Sequence, residues 1–148
     1  GRTEEGDEPW CKAVDVPQDK DCEDGRSSAA FSAEYVGRTL MELTGVTVLP
    51  ARNDDWFSEA RYTQGGTLET IDLCGKTMTG AQLQQAFELR SAAIAVEYTE
   101  ARFVFRAVGI GSNTGMSLHA ASEMADQGMT AEEILDYFYE DTQLIAMQ

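Results

Sequence analysis

An α+β fold, a small antiparallel or mixed sheet with helices packed against it, is predicted by three features of the sequence. Strand-like and helix-like segments are partly segregated along the chain, which disfavours a doubly wound sheet. Paired strand-like runs sit on either side of short turn sequences, at 63–66 and 99–101. Two helical runs open with Thr followed three residues later by Gln or Glu, the form of a capping box.

The elements follow in order. Residues 1–31 are assigned as an irregular acidic segment of the same domain. Gly1 to Ser28 is polar, broken by Gly6, Pro9, Pro17 and Gly25, and has Trp10 as its one large anchor. Such a segment needs something else to pack against. Residues 32–148 form the rest of a single domain. From Ser32 a helix is predicted with Tyr35, Leu40 and Leu43 near one face and Gly45 as its stop. Trp56–Tyr62 and Thr67–Leu73, joined by Thr63-Gln64-Gly65-Gly66, predict a β-hairpin, and Cys74-Gly75-Lys76 a turn. Thr79 and Gln82 open a helix that carries Leu83, Ala86 and Phe87 and ends near Arg90. Ile94–Tyr98 alternates as a half-buried strand does, while Arg102–Val108 is apolar on both faces, as an interior strand would be. Two helices close the chain, roughly Met116–Gln127 with Gly128 as its stop, and a last one capped by Thr130 and Glu133 with Ile134, Tyr137 and Phe138 along one side.

Composition restricts the partners. The chain has 148 residues and 43% hydrophobic residues, enough for one core. No apolar run approaches the roughly 18 residues of a membrane span, so no membrane span is expected in this chain. Any export signal is expected upstream of Gly1. With 26 acidic against 11 basic residues the net charge is −15. Nucleic acid is excluded as a partner, since its affinity rests on Lys and Arg replacing counterions. A neutral glycan or a cationic partner fits this charge, and so does simple solubility. Cys11, Cys22 and Cys74 match no zinc spacing, and no metal or cofactor is implied. Cys11 and Cys22 either close a short disulfide outside the cell or remain free thiols.

The segment Gly109-Ile110-Gly111-Ser112-Asn113-Thr114-Gly115-Met116-Ser117-Leu118-His119-Ala120-Ala121 resembles the closing motif of the SpoIID family, Gly-x-Gly-His-Gly-x-Gly-Met-Ser-Gln-x-Gly-Ala. Met124-Ala125, Gly128, Glu133-Ile134-Leu135, the aromatic run Tyr137–Tyr139 and Thr142 continue the likeness. Upstream, Gly75-Lys76-Thr77-Met78-Thr79-Gly80 and Leu89-Arg90-Ser91 are similar to the family's Gly-Lys-x-Leu-Ser-Gly and Leu-Arg-Ser segments. The opening Gly1-Arg2-Thr3-Glu4, with Trp10 and Val14-Asp15, is similar to the stretch after the family's Ser-x-Gly-Gly. The matches keep the family's order from residue 1 to about 144, so residues 32–148 are identified as the C-terminal part of a SpoIID-like domain.

The resemblance implies peptidoglycan glycan-strand binding and cleavage by a lytic transglycosylase in sporulation or cell-wall remodelling. It also implies an extracytoplasmic location and, as partners, glycan strands and a cell-wall amidase. One carboxylic acid would protonate the glycosidic oxygen and then take the proton that lets an anhydro ring close, which calls for a raised pKa in a partly buried cleft. The family's Glu stands in a Glu-Met-Pro segment before the point corresponding to Gly1, in the missing N-terminal portion of the same domain. No catalytic residue is therefore assigned in this chain, and cleavage hinges on that upstream acid. Glu97 and Glu100 are the nearest substitutes by position, and both read first as solvated surface acids.

The chain departs from the family at Ser112, where His is usual, at Leu118 for Gln, and at Asn113 and Ala120 for Gly. Ser112 removes a group that titrates near neutrality yet keeps hydrogen-bonding capacity toward a sugar hydroxyl. The positions carried over as cleft-lining are Arg90, Ser91, Gly111, Ser112, Gly115 and Ser117. Arg90 either holds a lactyl carboxylate or pairs with a neighbouring acid. Ser117 either only caps the next helix or also faces glycan. His119 stands at a variable family position, a helix-start histidine or a ligand contact. Trp10 and Trp56 are buried anchors or sugar-stacking rings. Two further classes stay open: a non-catalytic wall-binding or amidase-enhancing module, and a protein-interaction domain of a sporulation or division complex.

Overall fold

The computed structural model describes residues 3, 6, 9–17, 25–111 and 113–145. In chain order these form β1 (Arg26–Ser32), α1 (Ala33–Thr44), a 3₁₀ turn at Asn53–Asp55, β2 (Phe57–Tyr62), β3 (Leu68–Leu73), β4 (Lys76–Thr79), α2 (Gly80–Ala86), β5 (Ala93–Thr99), β6 (Arg102–Val108), α3 (Leu118–Asp126) and α4 (Ala131–Phe138). The strands pair as two antiparallel three-stranded sheets, β1-β6-β5 and β2-β3-β4. The predicted α+β class is the observed one.

Strand β6 organises the larger core. It is the middle strand of its sheet and buries Phe103, Phe105 and Ala107 on one face. Phe103 stacks on Trp56 at 5.2 Å between ring centroids, and Phe105 meets Phe87 at 4.5 Å. Leu40 of α1, Leu73 of β3 and Leu83 of α2 complete this core with no exposed surface. Helix α1 buries Val36, Leu40 and Thr44, one per turn, and the side chain of Ser32 accepts from the Tyr35 N–H at its start. Tyr35 itself points outward, 45% exposed, and stacks on Phe31, so the buried face of α1 is rotated from the predicted one.

The smaller core lies between α3 and α4. Ala120, Met124, Ile134 and Phe138 enclose Val16 of the N-terminal segment. That segment finds its packing partner here. Thr3 and Val14 exchange hydrogen bonds, the Gly6 N–H donates to Cys11 O at 2.8 Å, and the Tyr137 hydroxyl donates to Asp15 O at 2.8 Å.

Two strands were not anticipated. Residues 26–31, expected to be irregular, form most of β1, with Ser27, Ala29 and Phe31 opposite Ala107, Phe105 and Phe103. The Ser- and Ala-rich sequence has little intrinsic β-preference, and it becomes a strand because the open edge of β6 supplies hydrogen-bond partners. Past the predicted turn, Lys76–Thr79 pairs with β3 as β4. Cys74 and Gly75 both have positive φ, the two-residue hairpin geometry, and the Gly75 N–H donates to Asp72 Oδ1 at 2.7 Å. The capping boxes of Thr79 with Gln82 and of Thr130 with Glu133 are both present. Helix α2 ends at Ala86, short of Arg90, and α3 begins at Leu118 because Ser117 caps it.

Gly80, the first residue of α2, lies against the backbone of β3. A Cβ there would fall 2.0 Å from the carbonyl oxygen of Leu68. Alanine in a helix normally gains about 1 kcal/mol over glycine. We predict the opposite sign here: Gly80→Ala destabilises by at least about 2 kcal/mol, as overpacking against unyielding backbone does, seen as a lower urea midpoint.

Candidate functional site

The loop 109–117 carries the chain from the end of β6 to the cap of α3, from one core to the other. Gly109 and Gly111 have φ of 83° and 86°, in the region that costs an L-residue about 1–2 kcal/mol. The Gly109 N–H donates to Gly25 O at 2.6 Å, and a Cβ on Gly109 would meet Asn113 Oδ1 at 2.5 Å, so this end of the loop is closed. Gly111 is different. Its N–H donates to Arg90 O at 2.7 Å, it forms an isolated parallel bridge with Ser91, and a Cβ there would meet nothing within 4 Å. Two segments 21 positions apart in sequence, at residues 90 and 111, thus share one surface with open space above the glycine.

The remaining predicted residues divide. Arg90 is exposed at this junction. Ser91 is fully buried. Its hydroxyl donates to Val108 O at 2.5 Å and accepts from the Ala93 N–H at 3.2 Å, so it locks the end of β6 to the start of β5 instead of lining a cleft. Ser112 lies outside the described residues. Gly115, with φ of 74°, has the Tyr139 hydroxyl 3.3 Å from where a Cβ would stand. The Ser117 hydroxyl accepts from the Ala120 N–H at 3.2 Å as the cap of α3, and His119 is half-buried in that first turn.

Neither substitute acid is placed like a cleft acid. Glu97 is exposed and accepts from Arg106 at 2.5 Å, and Glu100 sits on the β5–β6 turn. Among the described residues no group of His, Cys, Asp and Glu is placed to hold a metal. Cys11 is buried against Gly6, while Cys22, and with it the choice between a Cys11–Cys22 disulfide and free thiols, lies outside the described residues.

The two tryptophans have opposite fates. Trp56 is a buried anchor whose indole N–H donates to Pro50 O at 2.9 Å. Trp10 is 49% exposed and meets Tyr139 edge-on at 5.8 Å. The Tyr139 hydroxyl in turn accepts from the Met116 N–H at 3.3 Å, which ties the aromatic pair to the glycine loop. Lys12 braces the same corner by donating to Asp141 at 2.7 Å.

No family model matches the chain. Among curated proteins, 137 residues, 92% of the chain, are 26% identical to a protein of Bacillus subtilis (strain 168) called Stage II sporulation protein D. This chain is similar to it. The protein of the same name from Bacillus amyloliquefaciens is 26% identical over 133 residues, 89% of the chain. The chain spans less than two fifths of these relatives, 38% and 37% of their lengths, in their C-terminal part. The resemblance carried by the glycine and Leu-Arg-Ser motifs therefore extends over nearly the whole chain. Among the described residues no helix is long and apolar enough to cross a membrane.

The Lys12–Asp141 contact has a definite pH signature. The hydrogen bond from Lys12, and secondarily its charge, holds the Asp141 carboxyl below its usual range, and the same contact raises Lys12. A lowered carboxylate contributes above its unfolded pKa of about 3.9 and ceases to do so as the pH falls through its folded value. A raised lysine contributes below about 10.4 and is lost as the pH rises through its folded value. The brace is thus complete at neutral pH. Asp141→Asn keeps tolerance for the φ of 63° at this position. It is expected to increase acrylamide quenching of Trp10 at pH 7 and to remove the rise in quenching expected of the parent on acidification below about pH 4.

Proposed function

We propose that this chain recognises peptidoglycan glycan strands in sporulation-related cell-wall remodelling, as the C-terminal part of a lytic transglycosylase like Stage II sporulation protein D. The supporting observation is the junction of Gly111 with Arg90, where two motifs distant in sequence meet at the surface, with open space where a Gly111 side chain would stand. A glycine at such a point lets a ligand approach the backbone itself, and Arg90 brings a fixed fork of donors suited to a carboxylate such as the lactyl group of muramic acid. The acid that breaks the glycosidic bond comes, on this reading, from the part of the relatives that the chain does not span. Cleavage takes place at the cell envelope, outside the cytoplasm.

A second reading, a non-catalytic wall-binding or amidase-enhancing module, draws support from Glu97, whose carboxylate is exposed and already paired with Arg106. The full-length protein separates the two: release of anhydro-muropeptides supports the enzyme, and binding without release supports the module. For the chain itself, titration with peptide-free glycan strands at low ionic strength is the direct test. Arg90→Ala is expected to weaken binding about tenfold, the value of one charge-assisted hydrogen bond, and Gly111→Val to weaken it at least as much. Absence of strand binding by the parent chain, or affinity unchanged from the parent in both variants, would overturn the proposal.

A further inference from the structure

The corner between the N-terminal segment and α4 contains an open groove of about 360 Å³, within the range of about 300–1,000 Å³ typical of small-ligand sites. Its apolar surface comes from Trp10, Leu135, Tyr139 and Leu144, and its polar rim from Asp136 and Gln143. Among the described residues its lining carries no Lys or Arg to offer a phosphate or other anion a counter-charge. An aromatic lining of Trp10 and Tyr139 beside a carboxylate and an amide suits a neutral sugar. One side of a pyranose ring presents C–H groups that cover the indole, while its equatorial hydroxyls and acetamido group meet acceptors and donors at the edge.

Trp10 is held in place rather than loosely attached. The turn at Pro9-Trp10 is closed by the Gly6 N–H donating to Cys11 O at 2.8 Å, and Cys11 is buried beneath it. Lys12, two residues on, is tied to Asp141 beyond the far end of α4, and the Tyr139 ring packs on the indole at 64° between ring planes. An indole kept 49% exposed by three separate restraints loses little further freedom on binding. Nothing in the packing of either core requires this ring to face solvent.

We infer that the Trp10–Tyr139 groove is a saccharide-stacking subsite, separate from the Gly111–Arg90 junction and coupled to it through the Tyr139–Met116 hydrogen bond. Its ligand is a neutral, N-acetylated sugar ring, stacked on the Trp10 face with Asp136 and Gln143 at its hydroxyls. That this ring belongs to a wall glycan rests on the function proposed above; the sugar chemistry of the groove does not.

The test is a titration of the chain with chitotetraose, a neutral oligomer of N-acetylglucosamine, followed by tryptophan emission and calorimetry. Trp56 is buried and stacked on Phe103, so it serves as an internal control that leaves Trp10 as the responding fluorophore. The expected result is a saturable emission change with protection from acrylamide. Trp10→Phe should abolish the change and weaken binding at least about fivefold, as loss of an aromatic contact of about 1 kcal/mol does. Gln143→Ala, on an exposed stretch outside both cores, should weaken binding without altering the urea midpoint. Unchanged affinity in both variants would overturn the subsite, and so would a groove that takes up an apolar dye or peptide but no saccharide. Strand binding that responds to Arg90→Ala but not to Trp10→Phe or Gln143→Ala leaves the glycan reading intact and removes the subsite. A chitotetraose response that survives Arg90→Ala while strand binding disappears upholds the subsite as a separate site. Failure of the parent to bind either sugar removes both.

Discussion

The chain leaves the middle strand of its larger core at Val108 and must enter a second core only nine residues later, at the cap of α3. Backbone at such a boundary has to reverse direction without burying unpaired polar groups. The solution is a succession of left-handed residues, Gly109, Gly111, Asn113 and Gly115, of which Gly109 and Gly111 donate their N–H groups to Gly25 O and Arg90 O. Most side chains at these positions would strain the turn, and at Gly109 a Cβ would also collide with Asn113. The same requirement leaves Gly111 bare at the surface beside Arg90. The opening in the candidate site is thus a consequence of how two cores are joined.

The N-terminal segment shows the complementary constraint. It has too few apolar residues to fold by itself, and it is ordered by lending Val16 to the α3–α4 core and by polar ties to α4 and its C-terminal flank. An exposed ion pair such as Lys12–Asp141 adds little to stability in water. It joins the residue two places after Trp10 to the flank of α4. A chain of net charge −15 places one of its few lysines at this corner, next to a groove whose lining, among the described residues, carries none.

Legibility from the sequence followed the range of the interactions involved. Both capping boxes, the hairpin 57–73 and the pair β5–β6 are encoded within a few residues, and all of them appear where the local pattern put them. β1 was missed because Ser27, Ala29 and Phe31 form a strand only against Ala107, Phe105 and Phe103, some 70 to 80 positions away. Its place beside Arg90 in the sequence makes Ser91 read as cleft-lining, but it is fully buried just before β5, where its hydroxyl bonds Val108 O. Trp10 and Trp56 are chemically equivalent in the sequence. Only packing makes one a core anchor on Phe103 and the other a half-exposed ring over a groove.

The amino-acid sequence by itself determined the α+β class, the helix starts at Ser32, Thr79 and Thr130, the acidic net charge, and the likeness to Stage II sporulation protein D along most of the chain. These depend on side-chain chemistry, short-range hydrogen bonds and residue order, all of which survive in one dimension. Tertiary structure decided which of the motif residues reach the surface and which other residues join them. That choice is made by the closing of the β1–β6–β5 sheet and by the seating of the N-terminal segment on α3 and α4, and both bring together residues whose distance along the chain says nothing of their distance in space.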